Sequence, residues 1–206
     1  MRVVNPGFDI LTPIHGNELK KIELAGRTCY KSEDRISDDS AKDFVKMLID
    51  RGHEAMLEHS SLSVKFICDR GVSHEIVRHR IASLAQESTR YCNYSKEKFG
   101  SELTFIKPCF FEGTAYDLWS AAMLNSETIY FGLLSQGATP QQARSVLPNS
   151  LKTEIVVTAN YREWRNILKL RTAKAAHPQM REIMVPLLNE LKFRIPVIFD
   201  DIIVEE

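Results

Sequence analysis

Residues 78–91 read Arg78-His79-Arg80-Ile81-Ala82-Ser83-Leu84-Ala85-Gln86-Glu87-Ser88-Thr89-Arg90-Tyr91. Three arginines, a histidine and the Ser88-Thr89 pair fall in one window, opposed there only by Glu87. Crowded guanidinium groups repel one another unless an anion neutralises them, and the planar arginine fork matches phosphate in a bidentate way. The plain alternative is a solvated basic face. The residues before the cluster, Gly71 to Arg78, read as a short helix that delivers the arginines to its end. Residues 79–100 are rich in Ser, Asn and charge and read as a long loop, a kind of segment that in compact domains is usually functional or disordered.

The elements on either side predict a fold in which helices outnumber strands. Residues 1–12 read as a strand. Asn17 is placed to cap a helix to Tyr30, with Leu19, Ile22 and Ala25 or Gly26 on one side. Ser40 to Arg51 reads as a second helix with Phe44, Met47 and Leu48 on its apolar face and Gly52 as its stop. Leu62 to Cys68 alternates as a strand does, and Leu103 to Ile106 is a brief strand closed by Pro108. The span Ala115 to Gln136 is apolar over more than one side of a long helix, which predicts burial on two sides. Pro140 starts a shorter helix ending near Leu147-Pro148. Ile155-Val156-Val157 reads as a buried strand, followed by helices at 162–171 and 178–194. The last carries Met180, Ile183, Met184, Leu187, Leu188 and Leu191 at helical spacing; at ~1.5–3 kcal/mol for each buried side chain this is core. Pro186 is a possible kink. With no clean βαβ alternation the order is α+β, a mixed sheet packed with several helices.

The chain of 206 residues fits one domain, 1–206. Lys plus Arg and Asp plus Glu number 27 each, so the local basic clusters favour a discrete anionic ligand over a long polyanion. No apolar run suggests a signal peptide or a membrane span. Cys29, Cys68, Cys92 and Cys109 have no CxxC or disulfide-scaffold spacing, which predicts a reduced, cytoplasmic protein. His53-Glu54-Ala55-Met56-Leu57 begins like a zinc-protease helix, but Leu57 stands where a second histidine is needed, so no metal is expected. No cysteine or serine has the setting of a catalytic nucleophile, and GxGxxG and P-loop motifs are absent.

A second basic cluster lies in Asn160-Tyr161-Arg162-Glu163-Trp164-Arg165-Asn166 and continues to Arg171 and Lys174. On a helix Arg162 and Asn166 share one face, while Asn160, Trp164 and Arg171 share another. A solvent-exposed basic helix is the alternative. Arg144, in Ala143-Arg144-Ser145-Val146-Leu147-Pro148, reads by itself as a surface arginine.

Taken together these blocks resemble the flavin-dependent thymidylate synthases of the ThyX type, whose signature is RHR, seven residues, then Ser. The resemblance covers RGHEAMLEH (51–59), RHRIASLAQESTRY (78–91), ARSVLP (143–148), ANYREWRNILKLR (159–171) and His177-Pro178-Gln179, in that order. It departs at Ala85, where relatives often carry Asn or Ser, at Glu75, where Gln is common, and in a longer link at 172–176. The resemblance implies an α+β protomer in a homotetramer with shared active sites. It implies reductive methylation of dUMP to dTMP by a methyltransferase using FAD, with methylenetetrahydrofolate and NADPH as co-substrates. By the same resemblance FAD would be held by His53, Ala55, Arg78, His79, Arg80, Gln86, Asn160, Tyr161, Arg162, Asn166 and His177. The dUMP would be held by Glu75, Arg78, Gln86, Glu87, Ser88, Thr89, Arg90, Arg144 and Arg171. Arg171 is the expected catalytic residue, stabilising the deprotonated uracil ring, with no cysteine nucleophile.

Two other functions fit parts of the pattern. A single-strand nucleic-acid module would use Arg78, Arg80, Arg90, Tyr91 and Tyr94 as a charged stacking surface. A flavoprotein reductase unrelated to nucleotides would be yellow yet indifferent to dUMP. The resemblance favours the synthase, with neither nucleic acid nor membrane as a partner.

Overall fold

The chain runs through β1 (Arg2–Val4), β2 (Gly7–Ile10), α1 (Asn17–Tyr30), α2 (Ser40–Asp50), a 3-10 turn (Glu54–His59), β3 (Ser61–Asp69), α3 (Arg70–Ile76) and β4 (Ala82–Gln86). It continues through β5 (Thr104–Ile106), α4 (Gly113–Ser135), α5 (Pro140–Ala143), β6 (Lys152–Asn160), α6 (Tyr161–Arg171), α7 (Pro178–Arg194) and α8 (Pro196–Phe199). This is a computed structural model that describes residues 1–97 and 100–204; Lys98 and Phe99, within the expected 79–100 loop, and Glu205 and Glu206 lie outside the described residues. The mixture of helix and sheet is the α+β class expected. One sheet has the order β2-β3-β6-β4, and β1 pairs with β5 in parallel, Val3 opposite Phe105. Along β3 Leu62, Val64, Phe66 and Cys68 are buried, and along β6 Thr153, Ile155, Val157 and Ala159, the two-residue period of a strand with one covered face.

Several expectations need correction. The strand expected over 1–12 is two strands, interrupted at Asn5-Pro6, where proline has no N–H for a ladder. The cap of α1 is Gly16 at φ 81°, and Asn17 is already helical. The supposed loop contains β4, whose residues are mostly half-buried or exposed; a strand so weakly patterned exists because β6 offers it a paired edge. The strand at Ile155–Val157 extends over all of β6, and the Pro140 helix is one turn followed by a 3-10 turn, Arg144–Val146. Helix α7, by contrast, has the bounds expected, with Pro186 inside it.

The residues form two compact units. The first comprises Met1–Gly7, Phe66–Arg78 and Leu84–Val156. Its core joins Leu103, Phe105 and Leu151 to Trp119, Met123 and Tyr130 of α4, and the Trp119 indole N–H donates to Ser150 Oγ at 3.1 Å. The terminal ammonium of Met1 lies 2.8 Å from Glu127, whose hydrogen bond raises its pKa. One side of α4 is thus buried, while Leu118, Leu124 and Ile129 on its other sides are exposed.

The second unit comprises Phe8–Lys65, His79–Ser83 and Val157–Glu206. Here α1 meets α2 at Gly26, where an added Cβ would stand 2.6 Å from Phe44 Cε1, so any larger residue would have to displace that ring. Gly52, at φ 70°, ends α2 with its N–H on the Ile49 carbonyl, as its position in the sequence predicts. The six α7 residues expected in the core are all at most 1% exposed. They share that core with Leu48, Leu57, Trp164, Leu168 and Phe199.

Candidate functional site

Helix α6 organises the site in the second unit. Asn160 caps it: its Oδ1 accepts the Glu163 N–H at 2.8 Å, satisfying a donor the first turn would leave without a partner. Trp164, Ile167 and Leu168 hold the helix to the core, and the Trp164 indole donates to the Leu62 carbonyl at 2.9 Å. Trp164 therefore belongs to the core and not to a ligand-facing side. Arg162 and Asn166, expected on one face, are both exposed and line one cavity of about 480 Å3 together with Asn160, Glu163, Glu58 and Ile81.

The centre of this unit's site is a chain of three polar side chains. Arg171 Nε donates to His79 Nε2 at 3.0 Å across 92 positions of sequence. On its other side His79 Nδ1 lies 3.4 Å from Glu163 Oε1, and Asn166 Nδ2 donates to the same carboxylate at 3.3–3.4 Å. His79 is 6% exposed. Burial pushes its pKa below the ordinary value, the Arg171 charge adds to that, and Glu163 partly opposes it. A neutral ring with its proton on Nδ1, facing Glu163, presents Nε2 as the acceptor that Arg171 requires.

Arg165, one of the basic residues of the second cluster, is buried structure and not surface charge. It is 1% exposed, forks onto Asp201 at 2.6 and 2.7 Å, reaches Glu54 at 3.1 Å and donates to the Ile198 carbonyl. Its hydrogen bond holds the Asp201 carboxyl below the usual range. The signal was present in the sequence: Arg165 shares a helix face with Tyr161 and Leu168, four before and three after, both fully buried. Tyr161 is core as well, its ring edge-on to Phe199 at 6.0 Å, so any ligand contact at this position would run through the backbone.

His53 and Ala55 are exposed and line a smaller, mostly apolar cavity of about 260 Å3 with Met56, Leu48 and Tyr30. Arg162 is paired with Glu58 at 2.6 Å. Arg80 is exposed, and His177 caps α7, its Nδ1 accepting from the Gln179 N–H at 3.3 Å.

In the first unit, Gln86 at the end of β4 donates to Ser73 Oγ at 2.8 Å and to Thr153 Oγ1 at 3.2 Å. Glu87 accepts from the Tyr94 hydroxyl at 2.8 Å and from Lys152 at 3.2 Å. Ser88 Oγ accepts the Arg90 N–H at 3.3 Å, and Thr89 is buried. Arg90 lies over the Tyr91 ring at 5.3 Å. Arg78 and Arg144 are exposed and Glu75 half-buried. Tyr94 is 7% exposed and packed in the core, so it offers no stacking surface to a nucleic acid. Cys68 is buried, which pushes its thiol up to about 12, far from a thiolate at neutral pH.

Residues 13–197 match the family model described as thymidylate synthase complementing protein. A flavin-dependent thymidylate synthase from Pyrococcus furiosus is 32% identical over 176 residues, covering 84% of this chain and 71% of the relative. One from Corynebacterium aurimucosum is 34% identical over 194 residues, covering 87% and 78%. Among solved structures, the UMP/dUMP methylase PolB from Streptomyces cacaoi, bound with 5-Br dUMP, superimposes with a TM-score of 0.79 at 21% identity, covering 97% of this chain and 96% of that one; this is a likeness of fold. With a family match over most of its length and curated relatives above 30% identity, the chain belongs to the family of flavin-dependent thymidylate synthases.

Proposed function

We propose that this chain converts dUMP to dTMP by reductive methylation, with methylenetetrahydrofolate as carbon donor and NADPH-reduced FAD as hydride source. The observation that carries the reading is the Arg171–His79 hydrogen bond. It joins the histidine of the RHR signature to the arginine that ends the second basic cluster, two blocks the sequence holds far apart.

The donor set of the second unit fits a flavin nucleotide. Asn160, Arg162, Asn166 and Lys169 supply amide and cationic donors of the kind phosphate and ribose oxygens accept, and Glu58 can accept a ribose hydroxyl. The apolar cavity beside His53 and Ala55 suits a flat ring. When bound, FAD supplies the hydride. Arg78, His79, Arg80, Gln86, the Tyr161 backbone and His177 complete the proposed flavin contacts. Glu75, Arg78, Gln86, Glu87, Ser88, Thr89, Arg90, Arg144 and Arg171 are the proposed dUMP contacts.

Arg171 holds negative charge on the uracil ring, which makes the ring carbon nucleophilic. Lowering the ring pKa by about two units corresponds to roughly 2.7 kcal/mol, within reach of one charge-assisted hydrogen bond at ~1.5–3 kcal/mol. Neutral His79 fixes the direction of the guanidinium through Nε, and Glu163 fixes the histidine tautomer. Ser88 orients and does not attack. The protomer works as one domain over 1–206, in a cytoplasmic homotetramer with shared active sites; the exposed Leu118, Leu124 and Ile129 of α4 support an apolar contact with another subunit.

Colour and turnover test the reading together. The purified protein should be yellow, bleach with NADPH, and form dTMP when dUMP and methylenetetrahydrofolate are supplied. A colourless protein, or a yellow one that bleaches without making dTMP, overturns it.

A further inference from the structure

A third cavity of the second unit, about 420 Å3, gathers Arg27, Arg35 and Arg51 around one space. They come from the last turn of α1, the 3-10 turn Glu33–Arg35 and the residue after α2. Helix C-termini favour cations by themselves, which accounts for Arg27 and Arg51 singly but not for their convergence with Arg35. Arg27 is partly compensated, paired with Glu23 at 2.8 Å and lying over the Phe44 ring at 4.5 Å. Among the described residues Arg35 and Arg51 have no ion-pair partner. Among the described residues no carboxylate lines this cavity, whereas three (Glu54, Glu58 and Glu163) line the one beside α6. Its remaining surface is Ser32, Tyr30 and His53 with apolar Phe44, Met47 and Leu48. It shares Tyr30, Leu48 and His53 with the apolar cavity assigned above to the flavin ring.

A cationic lining on an apolar floor selects a carboxylate or phosphate carried on an aromatic or aliphatic body. Resting on the proposed function, we infer that this cavity takes the anionic end of a co-substrate whose reacting end is presented to the flavin at His53. Two co-substrates of that reaction carry such a group: the folate through its glutamate carboxylates, NADPH through its 2′-phosphate.

The test uses the flavin-loaded enzyme with Arg35→Ala, Arg51→Ala and the double variant. Flavin content is read by absorbance, and KM is measured for mono- and polyglutamylated methylenetetrahydrofolate, for NADPH and for NADH. Two partly exposed charge contacts predict that the double variant raises one KM about tenfold with kcat within about twofold. A rise confined to folate, larger for the polyglutamate, assigns the carboxylates. A rise for NADPH but not NADH assigns the phosphate. Values all within about twofold of wild type, in a variant with normal flavin, overturn the inference. If the alanine variants lose flavin, wild-type enzyme decides: competition by p-aminobenzoylglutamate against folate, or by adenosine 2′-monophosphate against NADPH, supports the site when it is weaker in Arg35→Lys/Arg51→Lys, and no competition overturns it. A colourless, inert wild type would sink the flavin reading itself, a result distinct from unchanged KM values in an active enzyme.

Discussion

Replacing Glu163 by glutamine changes one charge in the Glu163–His79–Arg171 chain and nearly nothing in volume. A charged acceptor contributes ~1.5–3 kcal/mol and a neutral one ~0.5–1.5, a difference of roughly 1–1.5 kcal/mol. The 3.4 Å separation from His79 Nδ1 puts this contact at the weak end. If the loss falls on the placement of Arg171, kcat drops about fivefold at ~1.36 kcal/mol per tenfold. The pH profile adds a signed test. His79 acts as a neutral acceptor, and its folded pKa lies below its ordinary value of about 6.5. The stability and activity it contributes are therefore present above that pH and lost as pH falls through the folded pKa. Glu163 pulls that pKa upward, so Glu163→Gln should move the acid limb to still lower pH while lowering the plateau. The assay is kcat against pH at saturating dUMP, normalised to bound flavin because Asn166 touches the same carboxylate, with the His79 ring followed by proton NMR. An unchanged plateau with an unmoved His79 titration, or an acid limb that shifts upward, would refute the chain of positioning.

Arg171→Ala should cost roughly 10- to 150-fold in turnover, the equivalent of one charge-assisted hydrogen bond, while flavin stays bound; near-wild-type turnover would remove its catalytic role. Arg165→Met should lower the urea-derived stability by about 2–3 kcal/mol, below the ~3–5 of a fully buried broken pair because Glu54 and Asp201 can reach water; a loss under about 1 kcal/mol would contradict its part in holding α6. Gly26→Ala should cost about 1–3 kcal/mol in the same measurement and be partly restored by Phe44→Leu, which removes the ring an added Cβ would strike. Replacing Cys29, Cys92 and Cys109 by serine should leave kcat unaltered; inactivity in a folded variant would point to covalent catalysis.

Much of the fold is legible in the amino-acid order alone. Strong periodicity needs no partner to be read: α7 places six apolar side chains at helical spacing, and all six are buried. The motif blocks identified the family, because their order and spacing are properties of the chain itself. Weakly patterned segments were not legible. The small, polar residues of β4 become a strand only when β6 lends them hydrogen bonds, and the buried Arg165 reads as surface charge until Glu54 and Asp201 are brought to it. The sequence alone determined the strongly periodic elements, which residue types are available for an anion, and the kinship that names the chemistry, since these depend on local spacing. Only the tertiary structure decided that His79 meets Arg171, that Trp164 and Tyr161 belong to the core, and that Arg27, Arg35 and Arg51 face one cavity, because contacts between distant residues depend on how helices and strands pack.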